Sequence, residues 1–329
     1  MRESKHRVLL LLLMMLTWMP FGVLRAEDRL RVVATTTQAA DLARIIGGER
    51  LALTALMGAG VDPHLYKPTE SDIAAMNAAQ VVIYSGLNLE GQFEAVFAAL
   101  GQRAIRTYAL SAPVADAGFL LEEEVGVPDP HFWFDPRNWA LAAEGLAEVL
   151  AESDAANADF YRANAAAYTA QLTALYDWGL AAMTDAAIPE EKRVLVTSHD
   201  AFQYFGDAFG WQVRGIQGIS TAAEASVADI QTIADLVVSE GIAVIFIESS
   251  VPRATIEAVV AAAQAKGASV KVGVRELYSD AMGAPEDFGG SYTGMITHNI
   301  ITILQSFGYP VPPLPESLGL ALPEELQAR

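Results

Sequence analysis

Residues 157–187 run for the length of a long helix with Gly179 as the only glycine or proline, and Ala, Leu, Tyr and Gln dominate. As one helix the stretch would span roughly 45 Å at about 1.5 Å per residue. On both sides of it, short apolar runs alternate with segments of helical spacing. Upstream, residues 30–34, 51–56 and 81–85 read as strands. Residues 38–46, 71–79 and 89–100 read as helices, the second capped by Ser71 or Thr69, and residues 138–152 add another. Downstream, residues 193–197, 212–216, 243–247 and 269–274 read as strands. Residues 201–209, 227–240, 253–266 and 294–307 read as helices, with Gly210 and Gly267 closing two of them. Strand–helix alternation is the signature of a parallel sheet. The expected fold is therefore α/β, with two βα lobes whose parallel sheets are joined by one long linking helix. The expected division is 27–153, 154–190 and 191–329. Parallel sheets bind ligands outside the carboxyl ends of their strands, so a site is expected in the cleft between the lobes.

Residues 1–26 read as a cleavable secretory signal. Arg2, Lys5 and Arg7 form a positive start, residues 8–19 carry no charge, and Pro20 and Gly22 break the apolar run. That run is short for a membrane span, which needs about 20 apolar residues; an uncleaved N-terminal anchor is the alternative. The chain has no cysteine, so no disulfide forms and no thiol can carry a lipid. A free, monomeric protein in a bacterial periplasm is the expectation. The formal charge is −19. Four cations against Glu3 give the leader +3, which leaves −22 on the rest. Such a balance opposes binding to nucleic acid or to an anionic membrane face. Hydrophobic residues make up 52% of the chain, enough for a sizeable core in each lobe.

The chain has only 5 histidines. Two of them, His64 and His131, sit in the same tripeptide, Asp-Pro-His, and His131 continues into the aromatic stretch Phe132-Trp133-Phe134-Asp135-Pro136. The prolines fix φ and predict a stiff, extended segment around His131. His64, His199, Glu248 and Asp280 each follow a predicted strand. Were both sheets to aim their carboxyl ends at one cleft, these residues and His131 would meet. Three imidazoles and a carboxylate can complete a four-coordinate metal shell. The spacing is that of ligands gathered from distant loops, with neither a zinc finger nor an HExxH helix. His298, inside a predicted helix, reads as a core or capping histidine, and the acidic stretch 116–130 reads as a solvated loop.

Four blocks carry a resemblance to a known family. They are Pro63-His64-Leu65-Tyr66-Lys67-Pro68-Thr69-Glu70-Ser71-Asp72, Asp129-Pro130-His131-Phe132-Trp133-Phe134-Asp135, Thr197-Ser198-His199-Asp200-Ala201-Phe202-Gln203-Tyr204-Phe205 and Leu277-Tyr278-Ser279-Asp280-Ala281-Met282-Gly283. In this order they resemble the cluster A-I metal-binding proteins of bacterial ABC transporters for zinc and manganese. The resemblance implies two βα lobes, a rigid linking helix, and a metal held by His64, His131, His199 and Asp280. It places Glu248 close behind these ligands and implies an ABC permease as partner. The chain departs from the family in three places. Its acidic loop lacks the histidine-rich insertion of many zinc members, it lacks the lipidated cysteine of Gram-positive members, and Lys67 stands where an acidic residue is common.

The leading expectation is a solute-binding protein, not an enzyme, that captures one divalent transition metal and delivers it to a permease. Zinc is favoured by three imidazoles and a carboxylate, while the missing histidine-rich loop leans towards manganese. An exported zinc hydrolase using Glu248 or Asp200 as base is the alternative, and a structural zinc protein or adhesin is the third class.

Overall fold

The computed structural model describes residues 29–327 apart from 104, 125 and 186. The leader expected over 1–26 lies outside the described residues. The first lobe runs β1 (Leu30–Ala34), α1 (Thr37–Gly47), β2 (Leu51–Ala55), α2 (Glu70–Ala78), β3 (Val81–Tyr84), α3 (Glu94–Gly101) and β4 (Arg106–Ala109). Its strands are all parallel in the order β2-β1-β3-β4, with Val33 opposite Thr54 on one side and Val82 on the other. Thr69 caps α2: its hydroxyl accepts from the Asp72 amide while the Asp72 carboxylate accepts from the Thr69 amide, which satisfies two otherwise orphaned donors.

A short helix, α4 (Ala112–Asp116), leads into an antiparallel hairpin of β5 (Glu122–Glu124) and β6 (Val127–Pro128). The acidic stretch read as a plain loop is thus partly paired. It is tied down by the Leu121 amide, which donates to the Tyr204 hydroxyl, and by the Asp129 amide, which donates to the Leu121 carbonyl. Two long helices follow, α5 (Pro136–Ser153) and α6 (Ala158–Met183). At 26 residues α6 is roughly 39 Å long. It ends at Met183, short of residue 187, where both the amide and the hydroxyl of Thr184 donate to the Leu180 carbonyl.

The second lobe runs β7 (Val194–His199), α7 (Gln203–Phe209), β8 (Gln212–Gln217), α8 (Val227–Glu240), β9 (Val244–Ile245), α9 (Ala254–Ala265), β10 (Lys271–Val272) and α10 (Tyr292–Phe307). β7 pairs with β8 and β9 with β10, both parallel, and the Phe246 amide joins the pairs by donating to the Val196 carbonyl. Gly210 closes α7 at φ 70°, a left-handed conformation that glycine adopts without a Cβ clash.

One hydrophobic core runs through both lobes along α6, from Leu42 and Ile46 through Trp139, Leu172 and Leu175 to Phe209 and Ile300. Smaller clusters cover the other faces of the two sheets, around Val33, Met76 and Phe93 and around Val196, Ile245 and Val259. Each fully buried Leu, Ile or Phe contributes on the order of 1.5–3 kcal/mol relative to exposure. The one glycine of α6 sits at a close approach to its neighbours. A Cβ on Gly179 would sit 2.8 Å from Ile300 Cδ1 and 2.8 Å from Phe209 Cε1. Among the described residues no helix is long and apolar enough to cross a membrane.

Candidate metal centre

The repeated Asp-Pro-His tripeptide folds the same way twice. Asp62 Oδ1 accepts the His64 amide at 2.8 Å, and Asp129 Oδ1 accepts the His131 amide at 2.9 Å. An aspartate that accepts from the amide two residues on makes a local turn, and the proline between them fixes φ. Each histidine is thereby set on a short turn at the cleft. The segment after His131 is not extended, as the prolines had suggested. Phe132–Phe134 make one 3-10 turn, and Pro136 then opens α5, with Asp135 as its cap. Proline is compatible with the first turn of a helix, where its missing N–H costs no bond.

His199 is the last residue of β7 and Asp280 lies in the loop beyond Leu277, which pairs with Glu248. The Asp280 loop is pinned on several sides. Asn299 accepts from the Tyr278 amide and donates to its carbonyl, and the Ser279 hydroxyl lies 2.9 Å from that of Ser250. From the first lobe, Gln38 Nε2 donates to the Ser279 carbonyl and Thr37 Oγ1 accepts the Met282 amide.

His64, His131, His199 and Asp280 converge as expected, with one ligand atom from each within 4.8 Å of the others. His64 Nε2 is 3.4 Å from His131 Nε2 and 3.6 Å from Asp280 Oδ2. Asp280 Oδ1 is 3.3 Å from His131 Nε2, and Oδ2 is 3.1 Å from His199 Nε2. Bond lengths of about 2.0–2.1 Å around a tetrahedral zinc place ligand atoms about 3.3–3.4 Å apart. The observed separations bracket that value. The three imidazoles meet edge to face, with centroids 5.2, 5.5 and 6.0 Å apart. His131, His199 and Asp280 are fully enclosed, while His64 retains 7% exposure. His199 Nε2 and both Asp280 oxygens are buried without an aligned hydrogen bond. Polar atoms so placed are costly unless something else satisfies them, and a cation at the centre of the cluster would.

Behind the cluster stand two carboxylates. Asp129 Oδ1 lies 2.7 Å from His131 Nδ1, and Glu248 Oε2 lies 2.6 Å from His199 Nδ1. Glu248 also accepts the His199 amide through Oε1 at 2.8 Å. Both contacts turn the Nε2 atoms towards the cluster, the usual way a carboxylate orients a metal-binding imidazole. Glu248 does not itself reach the converging atoms. Asp200 is also outside them, accepting from Gln203 Nε2 at 2.7 Å. His298 is elsewhere, its Nε2 3.0 Å from the Glu276 carbonyl. The sequence reading named Glu248 and missed the roles of Asp62 and Asp129. The signal was present, since an aspartate precedes each of these histidines by two positions.

Two βα lobes braced by a long helix, with a buried three-histidine, one-carboxylate cluster between them, define a metal-binding solute-binding protein of the ABC-transporter kind. The chain matches the family described as zinc-uptake complex component A periplasmic (ZnuA) over residues 32–306, and it belongs to that family. It is 41% identical over 281 residues to the manganese-binding lipoprotein MntA of Bacillus subtilis, covering 85% of this chain and 90% of that protein. It is 39% identical over 280 residues to the zinc-binding protein TroA of Treponema pallidum, covering 85% of this chain and 89% of that protein. The solved structure of the periplasmic zinc binding protein TroA superposes with a TM-score of 0.81 at 38% identity, over 84% of this chain and 99% of that chain. The family consists of solute-binding proteins and not of enzymes, so the hydrolase alternative has no support. Membership carries an extracytoplasmic location, a metal ion as cargo and an ABC permease as partner.

Proposed function

We propose that this protein captures one divalent ion, zinc in preference to manganese, with His64, His131, His199 and Asp280 as ligands and Glu248 and Asp129 orienting two of the imidazoles. The observation that carries the reading is the set of 3.1–3.6 Å separations between buried ligand atoms. The relatives do not decide the metal, since one is named for manganese and another for zinc. The donor set favours zinc. Its d¹⁰ shell accepts tetrahedral N/O coordination without penalty, whereas manganese favours more oxygens. Asp280 can offer a second oxygen, but Glu248 is engaged by His199 and adds none. Equilibrium competition between the two metals on metal-free protein tests this: zinc should bind more tightly, and equal or tighter manganese would overturn the choice of zinc.

The domain division supported by the helix boundaries is 27–153 and 191–329 on either side of a linking segment at 154–190. The leader reading of 1–26 supports export to a periplasm. Relatives such as MntA are named lipoproteins, which weighs against an unanchored form; this chain has no cysteine thiol to take a lipid. The proposed mature form is therefore free of a thiol-linked lipid anchor. Partition of the protein from cells into the detergent phase of Triton X-114 would refute the unanchored form.

A further inference from the structure

We propose that Thr221 is a positioning residue that latches the His64 turn across the cleft and slows release of the metal. The inference rests on the ligand assignment above. His64 is the ligand nearest solvent, at 7% exposure against 0%, 0% and 1% for His131, His199 and Asp280. An ion leaving the cluster must therefore part from the others on the His64 side. The chain around it is a surface loop, with Leu65 52% exposed. What holds His64 is Asp62, whose Oδ1 accepts the His64 amide.

The other oxygen of Asp62 is held from the opposite lobe. Thr221 Oγ1 donates to Asp62 Oδ2 at 2.6 Å, across 159 residues of sequence. Thr221 is itself 6% exposed and sits on a braced loop. Gln217 Nε2 donates to the Ala223 carbonyl, and the Gly218 carbonyl accepts from the Asp200 amide beside His199. One carboxylate thus joins the turn that carries the outermost ligand to a loop anchored on the strand that carries a buried one. Breaking the Thr221 bond frees the His64 turn to swing outward while leaving all four ligands and their orienting carboxylates intact.

The test is the rate at which zinc-loaded full-length protein yields its metal to excess 4-(2-pyridylazo)resorcinol in a stopped-flow instrument. Thr221→Val keeps the shape and removes the donor; Thr221→Ala also removes the donor, should the valine fail to fold. Loss of a hydrogen bond to a charged group predicts release roughly ten- to a hundredfold faster. The association rate should be unchanged, and Thr221→Ser, which keeps the hydroxyl, should restore slow release. A merely structural role would lower the thermal midpoint of the metal-free protein and would not separate release from association. Equal release from wild type and Thr221→Val, or fast release that Thr221→Ser does not reverse, overturns the latch alone. Wild type that binds no zinc, or His131→Ala that binds it as tightly as wild type, overturns the ligand assignment and the latch with it.

Discussion

Loading the site at pH 7 should expel about two protons per metal ion. At His131, burial opposes the imidazolium, but Asp129 and Asp280 together outweigh it and raise the pKa to about 9. At His199 burial is likewise outweighed, by Glu248 and Asp280, and the pKa stands well above its ordinary value. At His64 burial prevails and lowers the pKa to about 4. Burial also opposes the charge on Asp280, yet the His199 and His131 imidazoliums hold it well below the usual carboxylate range. The metal-free site at pH 7 therefore pairs two imidazoliums with an ionised Asp280 and leaves His64 neutral. A metal requires all three imidazoles neutral. Two protons leave as one dication enters, so the charge of the buried cluster does not change. That exchange avoids the penalty of adding net charge to a water-poor interior.

Each proton displaced makes the apparent affinity rise about tenfold per pH unit, so two give about a hundredfold. Unperturbed imidazoles would confine this dependence to below about pH 6–7. The carboxylate pairings move it upward, through pH 7 and on to at least the His131 pKa of about 9. Isothermal titration of zinc into metal-free protein at pH 7, in buffers of different ionisation enthalpy, counts the protons directly. Released protons are taken up by the buffer, so the slope of observed against buffer ionisation enthalpy should be about minus two, and a slope shallower than about minus one would refute the paired-imidazolium site. The metal-free protein gives an independent check of sign. A histidine whose folded pKa is raised stabilises the fold fully below its unfolded value, about 6.5, and loses that contribution as pH rises through its folded value. The metal-free thermal midpoint should therefore fall between about pH 6.5 and 9, while the stabilisation gained from a fixed concentration of zinc should grow.

Other expectations follow from the same geometry. His131→Ala and Asp280→Ala should each weaken zinc by more than the roughly 10–100-fold lost when only an orienting partner is removed, as measured by chelator competition. Glu248→Gln should fall within that roughly 10–100-fold range and bring the proton count from two towards one, because His199 loses a carboxylate that raises its pKa. Gly179→Ala should destabilise the protein by about 1–3 kcal/mol in urea unfolding, as expected for overpacking, since the new methyl would press on Ile300 and Phe209; an unchanged midpoint would show that α6 can shift. X-ray scattering of metal-free and zinc-loaded protein should give nearly superposable curves, and a large compaction on loading would contradict a rigid frame.

Much of the candidate site was legible because each proposed ligand is tied to a local signal. His199 ends a strand, Asp280 follows a strand pairing, and His64 and His131 share a tripeptide whose aspartate builds the turn. The parallel-sheet rule then gathers these loops without any knowledge of contacts. What stayed hidden depends on tertiary partners. β4, Arg-Thr-Tyr-Ala, is short and half-buried, so its apolar pattern is too weak to mark a strand. The hairpin in the acidic stretch is tied through Tyr204, far along the chain. β9 and β10 are shorter than the apolar runs that contain them, because residues such as Phe246 and Ile247 are buried beyond the ends of the ladder. Local patterning also cannot pair Asp62 with Thr221 or Gln38 with Ser279.

Those long-range bonds decide how the protein can let go of a metal. A hinge that parted the lobes would separate Gln38 from Ser279, Thr37 from Met282, and Asp41 from the Tyr292 amide that it accepts at 2.9 Å. It would also shear a core that passes without interruption from α1 through α6 to α10. Tyr292 adds to that resistance: its ring stacks on Trp139 and its hydroxyl donates to the Trp133 carbonyl, two residues from His131. Exposing even a few of these side chains would cost several kcal/mol, at roughly 1.5–3 kcal/mol each. Swinging the His64 turn outward leaves those bonds between the lobes in place. Its hold on the second lobe includes one hydrogen bond from Thr221, and its neighbour Leu65 is already in water. The lower-energy path for the ion is therefore past His64 with the lobes held in place, and a permease that draws on this protein need only disturb that one turn.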